Sequence, residues 1–200
     1  VFFVTISDAN GGPVQSRVTV TVTPVVDAFD DTLSTPEDTP VRIDVVANDR
    51  FADGDRGVTL VNGVSIAAGG EVRVTNGTVS LQADGTLLYT PDANFSGEEV
   101  FTYTVTAGGV NERASVTVSV TAVNDAPQTI DAGVPGQSFD AASGNYTAQT
   151  QEDSAFAGRV AASDVEGDAL GYVLSRQPEH GTLSIDPLTG AYTYTPTSDY

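Results

Sequence analysis

Apolar residues alternate strictly with Thr or Ser in several runs along the chain. The runs span residues 18–23, 101–106 and 116–121, and residues 192–195 repeat the pattern more briefly. Alternation with a period of two places one row of side chains in a core and the other row in water. The β-branched and aromatic residues of these runs favour strands, and no run has the sustained 3.6-residue period of a helix. The sequence therefore predicts an all-β protein.

Short clusters of Gly, Asn, Asp and Pro interrupt these runs. Examples lie at residues 10–13, 53–55, 84–85 and 108–109. These residue types favour tight turns, and many short strands separated by such turns are typical of an antiparallel β-sandwich. We predict that architecture for the whole chain.

A long internal repeat divides the chain. Residues 18–28 match residues 116–126, and residues 77–91 reappear as residues 181–196. The offset is about 100 residues, which is the size of one immunoglobulin-like domain. The repeat predicts tandem Ig-like sandwich domains arranged end to end.

The repeat also predicts the domain boundaries. Residues 1–23 are expected to be the C-terminal strands of a preceding repeat, residues 24–123 a complete domain, and residues 124–200 a third repeat that stops before its final two strands. The third repeat carries an insertion near residues 128–150, and the second carries a shorter one at 64–75. Both insertions are expected to form surface loops or an extra hairpin. The chain is therefore expected to be a window on a longer tandem array.

The charge of the chain excludes several classes of function. There are 27 carboxylates against 8 basic residues, all of them Arg, so the formal net charge is −19. Such a surface repels nucleic acids and anionic membranes, and no apolar run approaches the roughly 18 residues of a membrane span. The absence of Cys excludes disulfides, zinc fingers and cysteine nucleophiles. We therefore predict no nucleic-acid binding and no membrane insertion.

Acidic side chains are predicted to converge at the junction between the second and third domains. Alternate strands of a seven-stranded antiparallel sandwich run from one pole to the other, so the turns after the first and fifth strands share a pole. That pole faces the linker, and the loop after the second strand of the third domain points back at it. The predicted set is Glu37, Glu99, Asn124, Asp125, Asp164, Glu166 and Asp168.

Oxygen ligands packed this tightly favour a bound cation. Clustered carboxylates are unfavourable unless a positive charge lies among them, and Arg is too sparse to supply it. Ca²⁺ takes 6–8 oxygen ligands from flexible loops, so about two or three Ca²⁺ ions are expected at this junction. The alternative is that Asp, Asn and Glu are simply common in exposed turns.

Several motifs together resemble the cadherin-like tandem repeats of large secreted bacterial adhesins of the RTX type. They are the Glu37-Asp38 pair, Asn-Asp-Ala-Pro at 124–127, Asp-Val-Glu-Gly-Asp at 164–168, and the segments 84–91 and 94–103. The resemblance spans essentially the whole chain and implies tandem Ig/cadherin-like β-sandwiches with calcium between successive domains. It implies that Glu37 and Glu99 act with Asn124, Asp125, Asp164 and Glu166 as ligands.

The same resemblance implies a second set of ligands at the junction between the first and second domains: Asp27, Asp49, Asp53 and Asp55. Two departures from the pattern weaken this junction. Val26 stands where the linker Asn is expected, and the loop 107–109 lacks the Asp that Asp8 provides in the first repeat. Fewer or weaker ions are therefore expected there.

These observations predict a calcium-rigidified stalk, or extender, of a bacterial cell-surface adhesin that is secreted and takes part in adhesion and biofilm formation. Its partners are expected to be the neighbouring repeats of the same chain, with the adhesion target bound by other domains. The alternative is a calcium-dependent glycan- or protein-binding module that acts through its insertion loops, with Phe139 and Tyr146 as exposed contacts.

Catalysis is not expected. The only histidine, His180, precedes Gly181 in a predicted turn, and no Ser or Thr has the context of a nucleophile. The paired acids Glu98 and Glu99 lack an aromatic-rich cleft of the kind that binds a glycan. An EF-hand starting at Asp164 is excluded because Ser175 stands where a bidentate Glu is needed.

Overall fold

The computed structural model describes residues 1–21, 25–51 and 56–199 and divides the chain into two compact units. The first unit is Val1–Thr121 and the second is Ala122–Tyr200. Within the described residues every regular element is a β-strand, which confirms the predicted all-β class. No helix in that part of the chain is long and apolar enough to cross a membrane.

The described residues of the first unit form eleven strands. They are β1 (Phe2–Ile6), β2 (Val14–Val18), β3 (Asp31–Pro36), β4 (Val41–Ile43), β5 (Arg56–Val61), β6 (Val64–Ser65), β7 (Glu71–Val74), β8 (Gly77–Leu81), β9 (Leu87–Pro91), β10 (Gly97–Ala107) and β11 (Val110–Thr121).

Two sheets of the first unit form a sandwich. One sheet has the order β3-β11-β10-β5-β6 and the other has the order β4-β9-β8-β7, while β1 and β2 form a separate hairpin. The insertion 64–75 supplies the edge strands β6 and β7, so it extends both sheets. The structure departs from a purely antiparallel sandwich at one place, because β3 pairs with β11 in parallel. The first and last strands of the domain run in the same direction, so a sheet that brings them together must pair them in parallel.

The alternating runs of β10 and β11 line the core as predicted. Phe101, Tyr103 and Val105 are at most 1% exposed, and Val116 and Val118 are fully buried. The intervening Thr and Ser side chains point away from this row, as expected for a period of two. These two long central strands therefore contribute much of the apolar surface that holds the two sheets together.

The repeated Gly-Thr-x-Ser and Tyr-Thr-Pro motifs have a common packing role. The Tyr89 hydroxyl donates to the Asn76 carbonyl oxygen at 2.8 Å, and its ring lies over Gly77. A Cβ on Gly77 would meet the Thr90 carbonyl oxygen at 2.4 Å and Tyr89 Cε2 at 2.6 Å. The motif therefore needs a glycine because the tyrosine ring occupies the space of a side chain.

We expect Gly77→Ala to lower the free energy of unfolding of the first unit by about 1–3 kcal/mol, the usual cost of overpacking. The matched control is Gly57→Ala, since a Cβ there meets nothing within 4 Å. Urea unfolding followed by circular dichroism measures both variants. Equal midpoints for the two variants would show that the tyrosine ring moves aside at little cost.

The second unit contains seven shorter strands. They are β12 (Gln128–Ile130), β13 (Gln137–Asp140), β14 (Asn145–Ala148), β15 (Phe156–Arg159), β16 (Ala161–Ser163), β17 (Gly181–Ile185) and β18 (Ala191–Pro196). They form the pairs β12-β16 and β13-β14 and the three-stranded sheet β15-β18-β17. The insertion near 128–150 contains the hairpin β13-β14, and an extra hairpin is one of the two forms predicted for it.

The first alternating run lies in the segment that is predicted to complete a preceding repeat. Strand β2 ends at Val18, and Val20 is 62% exposed. Residues 22–24 lie outside the described residues. Among the described residues, β1 and β2 pair only with each other.

Candidate metal centre

Glu37 lies at the end of the first unit from which the linker leaves. It follows β3, it is 5% exposed, and its backbone N–H donates to the Thr121 carbonyl oxygen at 2.9 Å. The next residue, Asp38, accepts a hydrogen bond from the Asn94 N–H through Oδ1 at 3.0 Å. The turn after β3 and the loop before β10 therefore meet at one pole of the sandwich.

Glu99 is buried in β10 and is only 1% exposed. Its Oε2 accepts from the Asn76 N–H and Nδ2 at 2.9 Å each, and its Oε1 accepts from the Thr75 N–H at 3.3 Å. A carboxylate has about four acceptor positions, and three of them are used here. Glu99 therefore holds the turn between β7 and β8, which leaves it little capacity for a cation.

The linker and the loop 164–168 come together within the second unit. The Asp125 N–H donates to Glu166 Oε2 at 3.1 Å, and the Asp168 N–H donates to Asp164 Oδ1 at 3.0 Å. Asn124 Nδ2 donates to the Asp125 carbonyl oxygen at 2.8 Å. The five predicted positions of this unit thus form two hydrogen-bonded groups. One consists of the linker residues Asn124 and Asp125 with Glu166, and the other consists of Asp164 with Asp168.

A second acidic group lies at the start of the complete sandwich domain. The Asp27 carbonyl oxygen accepts from the Arg50 N–H at 2.9 Å, and Asp49 Oδ1 accepts from the Phe29 N–H at 2.8 Å. The segment before β3 is therefore tied to the turn that contains Asp49. The other two residues predicted for this junction, Asp53 and Asp55, lie outside the described residues.

Two carboxylate oxygens of this group are buried and have no hydrogen-bond donor among the described residues. They are Asp31 Oδ2 and Asp49 Oδ2. Asp31 begins β3 on the same row as the half-buried Leu33 and the buried Thr35, so it points inward. Asp31 is not among the predicted ligands, although an acid on the inward-facing row of a strand is a signal that could have identified it.

The electrostatics of this group favour loss of charge or gain of a cation. Burial raises the pKa of Asp31 to about 6; the Tyr103 hydroxyl opposes the rise, and the carboxylates of Asp49, Asp30 and Asp44 add to it. Burial also raises the pKa of Asp49, against the Phe29 N–H and the positive charge of Arg56. Clustered, desolvated carboxylates of this kind are the usual surroundings of a hard cation.

The donor chemistry of both acidic groups fits Ca²⁺, because it consists of carboxylate, amide and carbonyl oxygens. The side-chain geometry fits only in part. Across residues 1–21, 25–51 and 56–199, no three acidic or histidine side chains stand close enough together to form a metal cage. Asp31 and Asp49 fit a cation best, because each has a buried carboxylate oxygen that lacks a hydrogen-bond donor among the described residues.

Three residues outside the acidic groups, His180, Phe139 and Tyr146, have structural contacts. The His180 carbonyl oxygen accepts from the Tyr194 hydroxyl at 2.7 Å, which repeats the contact of Tyr89 with Asn76. Phe139 and Tyr146 were expected to be exposed, but both are half-buried and their rings pack 4.9 Å apart. The Tyr146 hydroxyl also donates to the Ala161 carbonyl oxygen at 3.1 Å. The insertion thus uses its aromatic residues to attach the hairpin to the unit.

The chain belongs to the bacterial Ig domain family, whose model matches residues 22–121 and 124–200. The predicted Ig-like fold and its tandem arrangement are therefore confirmed. A search of the curated proteins finds no match.

Several solved structures have a similar backbone. Drosophila N-cadherin EC1-4 is 13% identical with a TM-score of 0.48, and the match covers 85% of this chain and 40% of that one. A SusE-like surface located polysaccharide binding protein from Bacteroides thetaiotaomicron is 14% identical with a TM-score of 0.36, covering 88% and 29%. Mouse clustered PcdhgC3 EC1-3 is 14% identical with a TM-score of 0.31, covering 87% and 56%. Likeness at this level says nothing about ligands, and this chain spans less than two thirds of each structure.

Proposed function

We propose that this chain is a calcium-rigidified stalk segment of a bacterial cell-surface adhesin. In this role it spaces a distal binding domain from the cell and binds Ca²⁺ at the ends of its Ig-like domains. The observation that carries the proposal is the pair of buried carboxylate oxygens on Asp31 and Asp49 for which the described part of the chain provides no hydrogen-bond donor. A bound divalent cation satisfies such oxygens and offsets the repulsion of the neighbouring acids.

The composition supports a role for cations in holding the chain rigid. With 27 acids, 8 Arg and no Cys, the chain has few positive side chains and no covalent crosslink available. Asp84 and Asp92 are already paired with Arg42 and Arg73. With 27 acids and only 8 Arg, the acids outnumber the available positive side chains, and Ca²⁺ is a counterion that the medium can supply.

The proposed residues have separate tasks. Asp31 and Asp49 would hold one ion at the start of the complete domain, with the neighbouring Asp27 as a further oxygen donor. Asp125, Asp164 and Glu166 would hold Ca²⁺ beside the linker. A cation that binds linker and loop oxygens together removes the freedom of the linker, and this would stiffen the chain. Extracellular calcium modules often bind with dissociation constants of about 10⁻⁴–10⁻³ M, so a secreted, surface-exposed location suits the proposal.

The alternative function, recognition of a glycan or protein through the insertion loops, has less support. Phe139 and Tyr146 are half-buried against each other, which leaves less aromatic surface for a ligand than the sequence analysis expected.

We expect calorimetric titration of the chain with CaCl₂ to show binding that Asp164→Asn with Glu166→Gln weakens about tenfold or more, since hydrogen bonds to charged groups and ion contacts are lost together. The matched control is Asp84→Asn with Asp92→Asn, which also removes two charges but from acids paired with Arg. Small-angle scattering then compares calcium with EDTA. Absence of calcium binding, or a scattering profile that EDTA leaves unchanged, would remove the basis of the stalk mechanism.

A further inference from the structure

The first and last strands of the complete sandwich domain lie side by side. β3 pairs with β11 in parallel over six positions, from Asp31 opposite Val116 to Pro36 opposite Thr121. The chain enters this domain through β3 and leaves it through β11, and the next Ig-like repeat follows at residues 124–200. Tension along the chain therefore reaches the domain through these two strands, which we name the terminal pair.

The parallel direction of the terminal pair decides how tension acts on it. Tension draws β3 towards its N-terminal end and β11 towards its C-terminal end. Because the two strands run in the same direction, they are pulled in opposite senses along one axis. The hydrogen bonds between strands lie across that axis, so all of them are loaded in shear and must break together. Antiparallel neighbours pulled apart at adjacent ends would instead lose their bonds one after another.

Hydrogen bonds beyond the strand ends close the terminal pair on both sides. At its start the Ser115 N–H donates to Asp30 Oδ1 at 2.8 Å, and at its end the Glu37 N–H donates to the Thr121 carbonyl oxygen at 2.9 Å. The hydroxyl and the N–H of Ser115 lower the pKa of Asp30. The Asp30 carboxylate is therefore charged at neutral pH, and hydrogen bonds to a charged acceptor are among the stronger ones.

The inward face of the terminal pair is shielded from water. Val116 and Val118 of β11 are fully buried, and Val120 and Thr35 are each 4% exposed. Hydrogen bonds are stronger where water and its high dielectric constant are excluded. A slip of β3 by one position along β11 would also turn its inward row towards solvent. Sliding the strands therefore costs burial as well as hydrogen bonds.

The segment before β3 is attached to the opposite sheet. The Phe29 N–H donates to Asp49 Oδ1 at 2.8 Å, and Asn48 Nδ2 donates to the Asp30 carbonyl oxygen at 3.1 Å. Asn48 and Asp49 follow β4, which belongs to the sheet that does not contain β3. Tension applied before β3 is thus shared with the second sheet before it reaches the terminal pair.

We propose that this domain has a mechanical function, in which the terminal pair, closed by Asp30 at its start, holds the fold against tension along the chain. The proposal rests on the proposed stalk function for the source of the tension, because a stalk transmits force between a distal binding domain and the cell. The hydrogen bonds of the terminal pair need no cation, so the resistance persists in EDTA.

Optical tweezers test the proposal on the full chain through pairs of introduced cysteines, which are unique attachment points because the chain has no Cys. Val26→Cys with Ala122→Cys applies tension along the terminal pair. Ser96→Cys with Ala122→Cys pulls apart the adjacent ends of β10 and β11, which pair over eleven positions. All three sites are exposed, so the substitutions leave the fold intact.

In EDTA the 26–122 attachment is expected to unfold at a force about twofold or more above that of the 96–122 attachment, since bonds in shear break together. The number of paired positions alone predicts the opposite order, because β10-β11 is the longer pair. Equal forces, or a higher force for 96–122, overturn the proposal. Calcium is absent from this measurement, so its outcome and that of the calcium titration can fail separately.

Asp30→Ala removes the closure at the start of the terminal pair. At constant force it is expected to raise the unfolding rate about tenfold for the 26–122 attachment, because a hydrogen bond to a charged group is lost. The rate for the 96–122 attachment should stay unchanged, because Asp30 and Ser115 are far from the strand ends where that opening begins. A residue that only stabilises the fold in general would raise both rates alike.

Asp84→Ala is the matched control for this variant. Asp84 is also an exposed acid whose Oδ1 accepts from a backbone N–H, that of Thr86 at 3.1 Å, but it lies in the turn between β8 and β9. Asp30→Asn retains an acceptor oxygen and should recover part of the loss. Melting curves in EDTA show that each variant is folded. If Asp30→Ala unfolds no faster than Asp84→Ala under 26–122 tension, the role of Asp30 is refuted.

Discussion

Replacing Phe101 with alanine is expected to lower the free energy of unfolding of the first unit by about 3–5 kcal/mol, the usual range for a buried phenylalanine. The ring is 1% exposed at the centre of β10 and packs against Tyr89 of the opposite sheet. Removing it takes away one of the contacts between the two sheets and leaves a cavity between long strands that cannot collapse easily.

The neighbouring residue provides the control for this prediction. Val100 lies on the opposite face of β10 and is 50% exposed, so Val100→Ala should cost less than about 1 kcal/mol. Urea unfolding monitored through the amide resonances of β10 reports on the first unit separately from the second. A loss at Phe101 no greater than the loss at Val100 would mean that β10 does not hold the sandwich together.

In calcium-free solution the first unit is expected to become more stable as the pH is lowered from 7 towards 4. Folding raises the pKa of Asp31 from 3.8 to about 6, mainly through burial. The folded state therefore binds a proton at pH values where the unfolded chain does not, and the unfolding free energy falls as the pH rises through that window. Burial raises the pKa of Asp49 as well, so its contribution has the same sign.

Calcium is expected to reverse this dependence. An ion held by Asp31 and Asp49 stabilises their charged forms, and at about 100 times its dissociation constant it adds roughly 2.7 kcal/mol to the folded state. Protons compete with the ion, so the gain is largest near neutral pH and shrinks on acidification. Melting temperatures measured from pH 4 to pH 7 with CaCl₂ and with EDTA give both curves.

The variant Asp31→Asn tests whether the pH and calcium dependence of the unfolding free energy comes from this site or from the other acids of the chain. The variant should lose most of the pH dependence and much of the calcium effect, whereas Asp84→Asn, at an exposed acid paired with Arg42, should keep both. Superimposable curves with calcium and with EDTA would show that no ion binds at Asp31 and Asp49.

The strands of the core could be predicted because the alternating pattern that identifies them lies in neighbouring residues of the sequence. The alternation in 101–106 and 116–121 identifies which side chains of β10 and β11 are buried, and the structure agrees at Phe101, Tyr103 and Val118. Periodicity specifies a face that can be buried, and only a second sheet can bury it.

The candidate site divides in the same way. Sequence reasoning places Glu37 at the pole where β11 ends, and the bond between the Glu37 N–H and the Thr121 carbonyl oxygen agrees. The sequence could not show that Thr75 and Asn76 donate hydrogen bonds to Glu99. These donors lie in the turn between β7 and β8, and the position of that turn depends on how the insertion 64–75 pairs with the sheet. The calcium ligand roles and the adhesin context remain predictions.

By itself, the sequence determined that this protein is a tandem array of Ig-like β-domains, rich in acids and without Lys or Cys, because strand period, turn residues and repeats are properties of neighbouring positions. Only the tertiary structure decided which acids lose their contact with water. Asp31 and Asp49 are 18 positions apart in the chain, and their burial depends on how β3 packs beside the turn after β4. Desolvation is a property of surroundings in space, so no local pattern could specify it.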